Sequence, residues 1–201
     1  MPARLESPSM PAPCRFPWAA LALPIILAFA AACGGGAGPA KPADPAADAL
    51  ARGIAAHNAN KLDEATKAYF EVLFNDPKNK FAFYNLGQIA RVQNKLAIAE
   101  GYYRSALEID PNYPPALFGL AAVKQALNSI QEAVDLYRKD ISVDPSNAAA
   151  HYNLGILLRI QGKTAEGEAE IAKGIQLDPK LPPPPAPPTA TPKPATPTPT
   201  R

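Results

Sequence analysis

Asn85-Leu86-Gly87, then Ala99, then Tyr103-Arg104-Ser105-Ala106-Leu107, then Asp110-Pro111: these residues of the window 80–113 recur along the chain and decide its fold. Asp76-Pro77, Asp110-Pro111, Asp144-Pro145 and Asp178-Pro179 follow one another at intervals of 34 residues. Other columns keep the same step. Gly53, Gly87, Ala121 and Gly155 form one, Leu86, Leu120 and Leu154 a second, and Ala65, Ala99, Ala133 and Gly167 a third. Tyr69, Tyr103 and Tyr137 make an aromatic column that ends in Ile171, beside the aliphatic column Leu73, Leu107, Ile141 and Ile175.

Each window holds two amphipathic stretches with Asn60, Asn94, Asn128 or Gly162 midway between them. Asn and Gly tolerate the left-handed backbone that ends a helix, so the chain can reverse there. Proline pushes its predecessor out of the helical region, which stops the second helix near Asp-Pro. Just ahead of the next helix its missing N–H costs little. Small residues at Gly87, Ala99 and Ala106 let the paired helices approach, with Phe83, Leu86, Ile89 and Tyr103 filling the seam. The fold expected is all-α: an α-solenoid, or superhelix, of four 34-residue helix–turn–helix units and eight helices, with disordered N- and C-terminal segments. One hairpin cannot bury its apolar face alone, whereas four in a row share a continuous core.

The period and its columns resemble the tetratricopeptide repeat (TPR). The resemblance covers about 46–179, with units at about 46–79, 80–113, 114–147 and 148–179. Two residues depart from the pattern: Arg52 stands where an apolar residue is usual, and Asp140 where a small one is. Asp44-Pro45, off register, reads as the start signal of the first helix. No extra solvating helix follows the fourth unit, and the last helix, with Glu166, Glu168, Glu170 and Lys173, is expected to act as its own polar cap.

Both ends differ from the middle. Of 25 prolines, ten lie between Pro182 and Pro199, so residues 180–201 form a Pro/Thr-rich tail that cannot bury a core. Extended polyproline II is expected there, without internal hydrogen bonds, and its threonines are candidates for O-glycosylation. At the other end, Arg4 and Arg15 precede the uncharged run Trp18–Ala32, shorter than the roughly 20 apolar residues that span a bilayer. Ala30-Ala31-Ala32-Cys33 resembles the lipobox of bacterial lipoproteins. The resemblance implies a signal peptide over 1–32, lipidation at Cys33 and a flexible tether over 33–45. An ordinary signal-peptidase site, giving a secreted or periplasmic soluble protein, and an uncut anchor are the readings left open. Removal of the signal takes Cys14 with it, leaving one thiol and no internal disulfide.

Function is narrowed by what the sequence lacks. Twenty Lys and Arg against 18 Asp and Glu supply no basic face for nucleic acid. The two histidines, His57 and His151, form no metal motif; His151 is expected as a packed ring and His57 in the groove or solvent. No phosphate loop, nucleophile elbow or cofactor motif occurs, and no catalytic residue is proposed. The resemblance implies instead a protein–protein scaffold whose first helices line a concave groove for a partner's peptide or helix. By register, that groove presents Phe81, Tyr84, Asn85, Gln88 and Arg91 from the second unit, and Phe118, Ala122 and Gln125 from the third. The fourth contributes Tyr152, Asn153, Ile156 and Arg159, and the first Leu50, Ile54 and His57. Relatives that clamp chaperone tails need basic residues where this chain has Leu50, Pro115 and Gly119, or Tyr84 and Ala149. That clamp is absent, and a more apolar groove with scattered positive charge is expected. An envelope adaptor, held by a lipid anchor and assisting assembly of an envelope complex, is the leading reading. A passive spacer acting through its tail, or a tail that fills its own or a neighbour's groove and self-associates, are the others.

Overall fold

The computed structural model describes residues 44–185. The signal-like run 1–32, Cys33, the tether to residue 43 and the tail from 186 lie outside them. The described residues form eight α-helices: α1 Pro45–Asn58, α2 Leu62–Asn75, α3 Lys80–Val92, α4 Leu96–Ile109, α5 Pro114–Ala126, α6 Ile130–Val143, α7 Ala148–Ile160 and α8 Thr164–Leu177. Among these residues there is no strand. Asp44 caps α1, its carboxylate accepting from the Ala46 amide at 3.0 Å, with Pro45 in the first turn. The tether expected over 33–45 therefore yields its last residue to a helix.

The turn chemistry repeats four times. Asn60, Asn94 and Asn128 take φ of 57°, 57° and 60°, and Gly162 takes 79°. Behind each, the next amide reaches back five residues: Lys61 to Ala56, Lys95 to Ala90, Ser129 to Lys124 and Lys163 to Leu158. This closes the first helix of every unit with a Schellman-type bond. The second helices end at Asp76, Asp110, Asp144 and Asp178, all outside the helical region ahead of proline, with ψ of 86–98°. Each aspartate also accepts from the amide two residues on, at 3.0–3.2 Å, folding the chain into an Asx turn. Asn79 and Asn147 then cap α3 and α7, while Pro114 and Pro115 open α5 without donors to satisfy.

Helices pack on their neighbours in chain order, and the first helices α3 and α5 also touch. The core is three overlapping clusters. Ala49, Tyr69 and Val72 meet Leu86 and Ile89 of the next unit; Ala90, Tyr103 and Ala106 meet Leu120 and Val123; Ala121, Val134 and Tyr137 meet Leu154 and Leu158. Every cluster thus spans a unit boundary, as expected of a solenoid. The position of Leu86 is filled in the first unit by Arg52, 59% exposed and paired with Glu71 at 2.7 Å. A residue that elsewhere packs on the preceding hairpin is here charged and faces water. A second polar link crosses the middle of the array, where the buried Lys124 ammonium lies 2.9 Å from Glu100 and 2.8 Å from Glu132. Bonding to Glu132 and then Glu100 raises its pKa.

The aromatic column explains the glycines beside it. Tyr69 rests on Gly53 and Tyr103 on Gly87, so closely that a Cβ on either glycine would stand 2.6–2.7 Å from the ring. Gly119 meets the other side of Tyr103. In the fourth unit the partner changes. Gly155 faces the Gly167 carbonyl and Ile171, so α7 and α8 touch through their backbones. That approach leaves no room for a ring, and the column closes in Ile171.

Candidate functional site

Two candidate side chains of α3, Phe81 and Tyr84, converge on the ring of Tyr113. Phe81, half-exposed, meets the Tyr113 ring edge-on at 5.8 Å, and Tyr84 meets the same ring at 5.7 Å. Lys80 lies over Phe81 and Tyr113, 5.4 and 4.9 Å from the ring centres, while its ammonium pairs with Asp110. That bond, with the Asn112 amide, holds the Asp110 carboxyl below its ordinary range. Tyr113 was not among the residues singled out from the sequence. Its one signal is its place, last before Pro114-Pro115, where a unit boundary returns to the groove.

Gln88 donates to the Tyr84 hydroxyl and accepts from Arg91 at 3.4 Å. Burial raises the tyrosine pKa values at Tyr84, Tyr103 and Tyr137, and the Arg91 charge pulls all three back. Arg91 comes close to the Tyr103 hydroxyl without a hydrogen bond of ordinary geometry, and that hydroxyl has no partner. The guanidinium is exposed and joins no ion pair among the described residues.

Further along, Phe118 packs edge-on against Tyr137 at 5.6 Å. The Tyr137 hydroxyl donates to Gln125 at 3.2 Å and accepts from the Asn153 amide at 3.3 Å. Asn85 turns its amide to the Phe81 carbonyl of its own helix at 2.8 Å. Both asparagines are thus already bonded within the chain. Ile156 and Ala122 are half-buried. In the first unit, Leu50 and His57 are half-buried, His57 edge-on to Tyr69, and Ile54 is exposed. His151 is buried, its ring nitrogens against Glu170 at 2.6 Å and the Pro145 carbonyl at 3.2 Å. Tyr152 and Arg159 are buried too, and what covers them is the chain itself. Tyr152 donates to the Pro183 carbonyl at 3.4 Å, and Arg159 to the Pro185 carbonyl at 2.8 Å.

A tetratricopeptide repeat family model matches residues 50–114 and 116–182, well over half of the chain. The chain belongs to the tetratricopeptide repeat family. No curated protein matches it, but solved structures do. MamA aligns with a TM-score of 0.62 at 19% identity, over 68% of this chain and 80% of that one. YrrB, described as a TPR protein with an unusual peptide-binding site, aligns at 0.61 and 19% over 68% and 70%. The first TPR of Spaghetti (RPAP3), solved with the HSP90 peptide SRMEEVD, aligns at 0.57 and 24% over 59% and 94%. At these identities the likeness shows the fold. The TPR array is a protein-interaction scaffold.

Two tyrosines of the TPR column separate packing from hydrogen bonding. Tyr69 is fully buried, its hydroxyl has no partner, and burial pushes its pKa up to about 12. Tyr137 is equally buried with both of its hydrogen bonds made. Tyr137→Phe is expected to cost about 1 kcal/mol, because Gln125 and Asn153 lose a partner. Tyr69→Phe is expected to be neutral or stabilising by up to about 1 kcal/mol, since it removes an unpaired buried hydroxyl. Guanidinium denaturation of the two variants measures the difference.

Proposed function

We propose that this TPR array is a non-enzymatic adaptor that docks a peptide or helix of another protein across α3, α5 and α7, held in the bacterial envelope by lipid on Cys33. The observation that carries the docking surface is Arg91, exposed, without a carboxylate partner among the described residues and set beside the Phe81–Tyr84–Tyr113 group. Rings offer contact area at low entropic cost, and a guanidinium binds carboxylates bidentately. A partner segment with an acidic group beside an apolar or aromatic side chain fits that arrangement. Peptide-binding TPR structures among the neighbours support this use of the fold.

The test is capture from envelope extract on the immobilised chain, with quantitation of the main partner. Phe81→Ala combined with Arg91→Glu changes two exposed residues and is expected to reduce capture at least tenfold at unchanged melting temperature. Phe70→Ala, an exposed ring on α2, is the control and leaves capture intact. Equal recovery with the double variant removes the docking surface from consideration. Anchoring is tested separately, by growth with a fatty-acid probe. The native chain takes up label and Cys33→Ala does not; equal labelling ends the lipoprotein reading.

A further inference from the structure

Upstream, the second helix of each unit is covered by the first helix of the next. Tyr103 and Leu107 pack under α5, and Tyr137 and Ile141 under α7. Their register equivalents on α8 are Ile171 and Ile175, and no further helix follows among the described residues. Yet Ile171 is buried, only 4% exposed. Gly155 of α7 covers one side of it, and Ile171, Ala172, Ile175, Glu168 and Arg159 line a shallow depression together with Pro184 and Pro185.

The contact has the chemistry of polyproline recognition. A polyproline backbone makes no internal hydrogen bonds, and its carbonyls must find donors elsewhere. Tyr152 supplies one to Pro183 and Arg159 one to Pro185. The donors stand seven residues apart on α7, two turns along one face. Pro184 and Pro185 meanwhile share that depression with the aliphatic side chains Ile171, Ala172 and Ile175 of α8. Arg159 is itself 6% exposed, and its Nε has no partner among the described residues. We infer that the C-terminal end of the array is a binding site for polyproline II segments, and that its resident ligand is this chain's own segment Pro182–Pro185. This segment takes the place that a next helix holds upstream, none following among the described residues, and keeps Tyr152 and Arg159 from other ligands until it is displaced.

Tyr152 and Arg159 also belong to the face used in the proposed function, so the readouts are chosen to part the two. Nuclear magnetic resonance of the labelled full chain is compared with that of the chain ending at Leu181. Tethering gives the tail an effective concentration of order mM, so a synthetic peptide of residues 182–201 is titrated to about ten times that level. Amide signals of α7 and α8 are expected to shift on truncation and to return toward their full-chain positions as peptide is added. Peptide binding to the full chain is expected to be at least tenfold weaker. A peptide with Gly and Ser in place of the prolines at 182–188 leaves the signals unmoved.

Arg159→Met in the truncated chain, which keeps an apolar stem, is expected to weaken peptide binding at least fivefold. Should that variant unfold, Tyr152→Phe gives the same test with a smaller loss. The inference is overturned if truncation leaves α7 and α8 unchanged, or if the proline and Gly/Ser peptides act alike. It is overturned also if light scattering shows the full chain dimerised through its tail, since the resident ligand would then be a neighbour's. The Phe81→Ala, Arg91→Glu chain retains peptide binding whether or not it has lost its envelope partner.

Discussion

Gly155→Ala is expected to destabilise the fourth unit by about 3 kcal/mol or more, although alanine is the better helix former by about 1 kcal/mol. The added methyl would stand 2.5 Å from the Gly167 carbonyl oxygen, 2.8 Å from the Ile171 amide nitrogen and 2.7 Å from Ile171 Cγ1. Two of these neighbours are backbone, so no side chain can swing aside. Relief requires α7 and α8 to separate, which opens the seam beside Leu154, Leu158 and Tyr137. Contacts in a solenoid are made between neighbours, so the damage is expected to stay local. Hydrogen exchange should show α7 and α8 deprotected while α1 to α4 keep native protection.

Gly101→Ala is the matched control. That glycine lies exposed within α4 with nothing near its missing Cβ. The substitution is expected to stabilise by about 0.5–1 kcal/mol, through propensity and a smaller unfolded ensemble. If the two variants melt together, the backbone contact between α7 and α8 is not what holds the fourth unit.

Asp140→Ala is expected to stabilise the protein by about 2 kcal/mol at pH 8, a rise of several degrees in Tm. Asp140 shares its register column with Val72, Ala106 and Gly174, all buried. It is itself completely buried, with Oδ2 accepting from Asn147 at 2.7 Å and Oδ1 without a partner. Burial first, and the nearby Asp144 charge second, push its carboxyl up to about 6; the Asn147 bond and His151 act in the opposite sense.

The sign of the pH dependence follows from that shift. Between about pH 4 and 6 the folded chain holds a proton that the unfolded chain has released. The cost of burying Asp140 is therefore absent below about pH 4, grows through this window and is complete above about pH 6. The stability difference between Asp140→Ala and the native chain should shrink toward zero as pH falls from 8 to 4. Asp140→Asn, which retains an acceptor for Asn147 and cannot ionise, should lose the same titration. A native chain whose stability runs parallel to that of Asp140→Ala across this range would place no titrating group there.

What the sequence by itself determined are the features governed by a few neighbouring residues. The left-handed turns at Asn60, Asn94, Asn128 and Gly162 and the helix ends at Asp-Pro appear where the 34-residue step puts them, and the first helix starts at the off-register Asp44-Pro45. Backbone preferences of Asn, Gly and Pro act within a turn, so they can be read one window at a time. The columns likewise named the buried face, because each unit meets its neighbours through the same register.

Tertiary structure alone decided how each column is used. Nothing local tells Gly155, set against backbone, from Gly87, set against a ring; the difference lies in which residue arrives from the second helix. Asn85 and Asn153 occupy equivalent positions, yet one bonds its own helix and the other the Tyr137 hydroxyl. Arg91 and Arg159 share a register, and one is open while the other is covered by Pro185. A long side chain samples several partners within its reach, and the choice among them falls to whatever the stack brings alongside. For Arg159 that is a carbonyl 26 residues further along the chain, a contact that exists only once the fourth hairpin is in place.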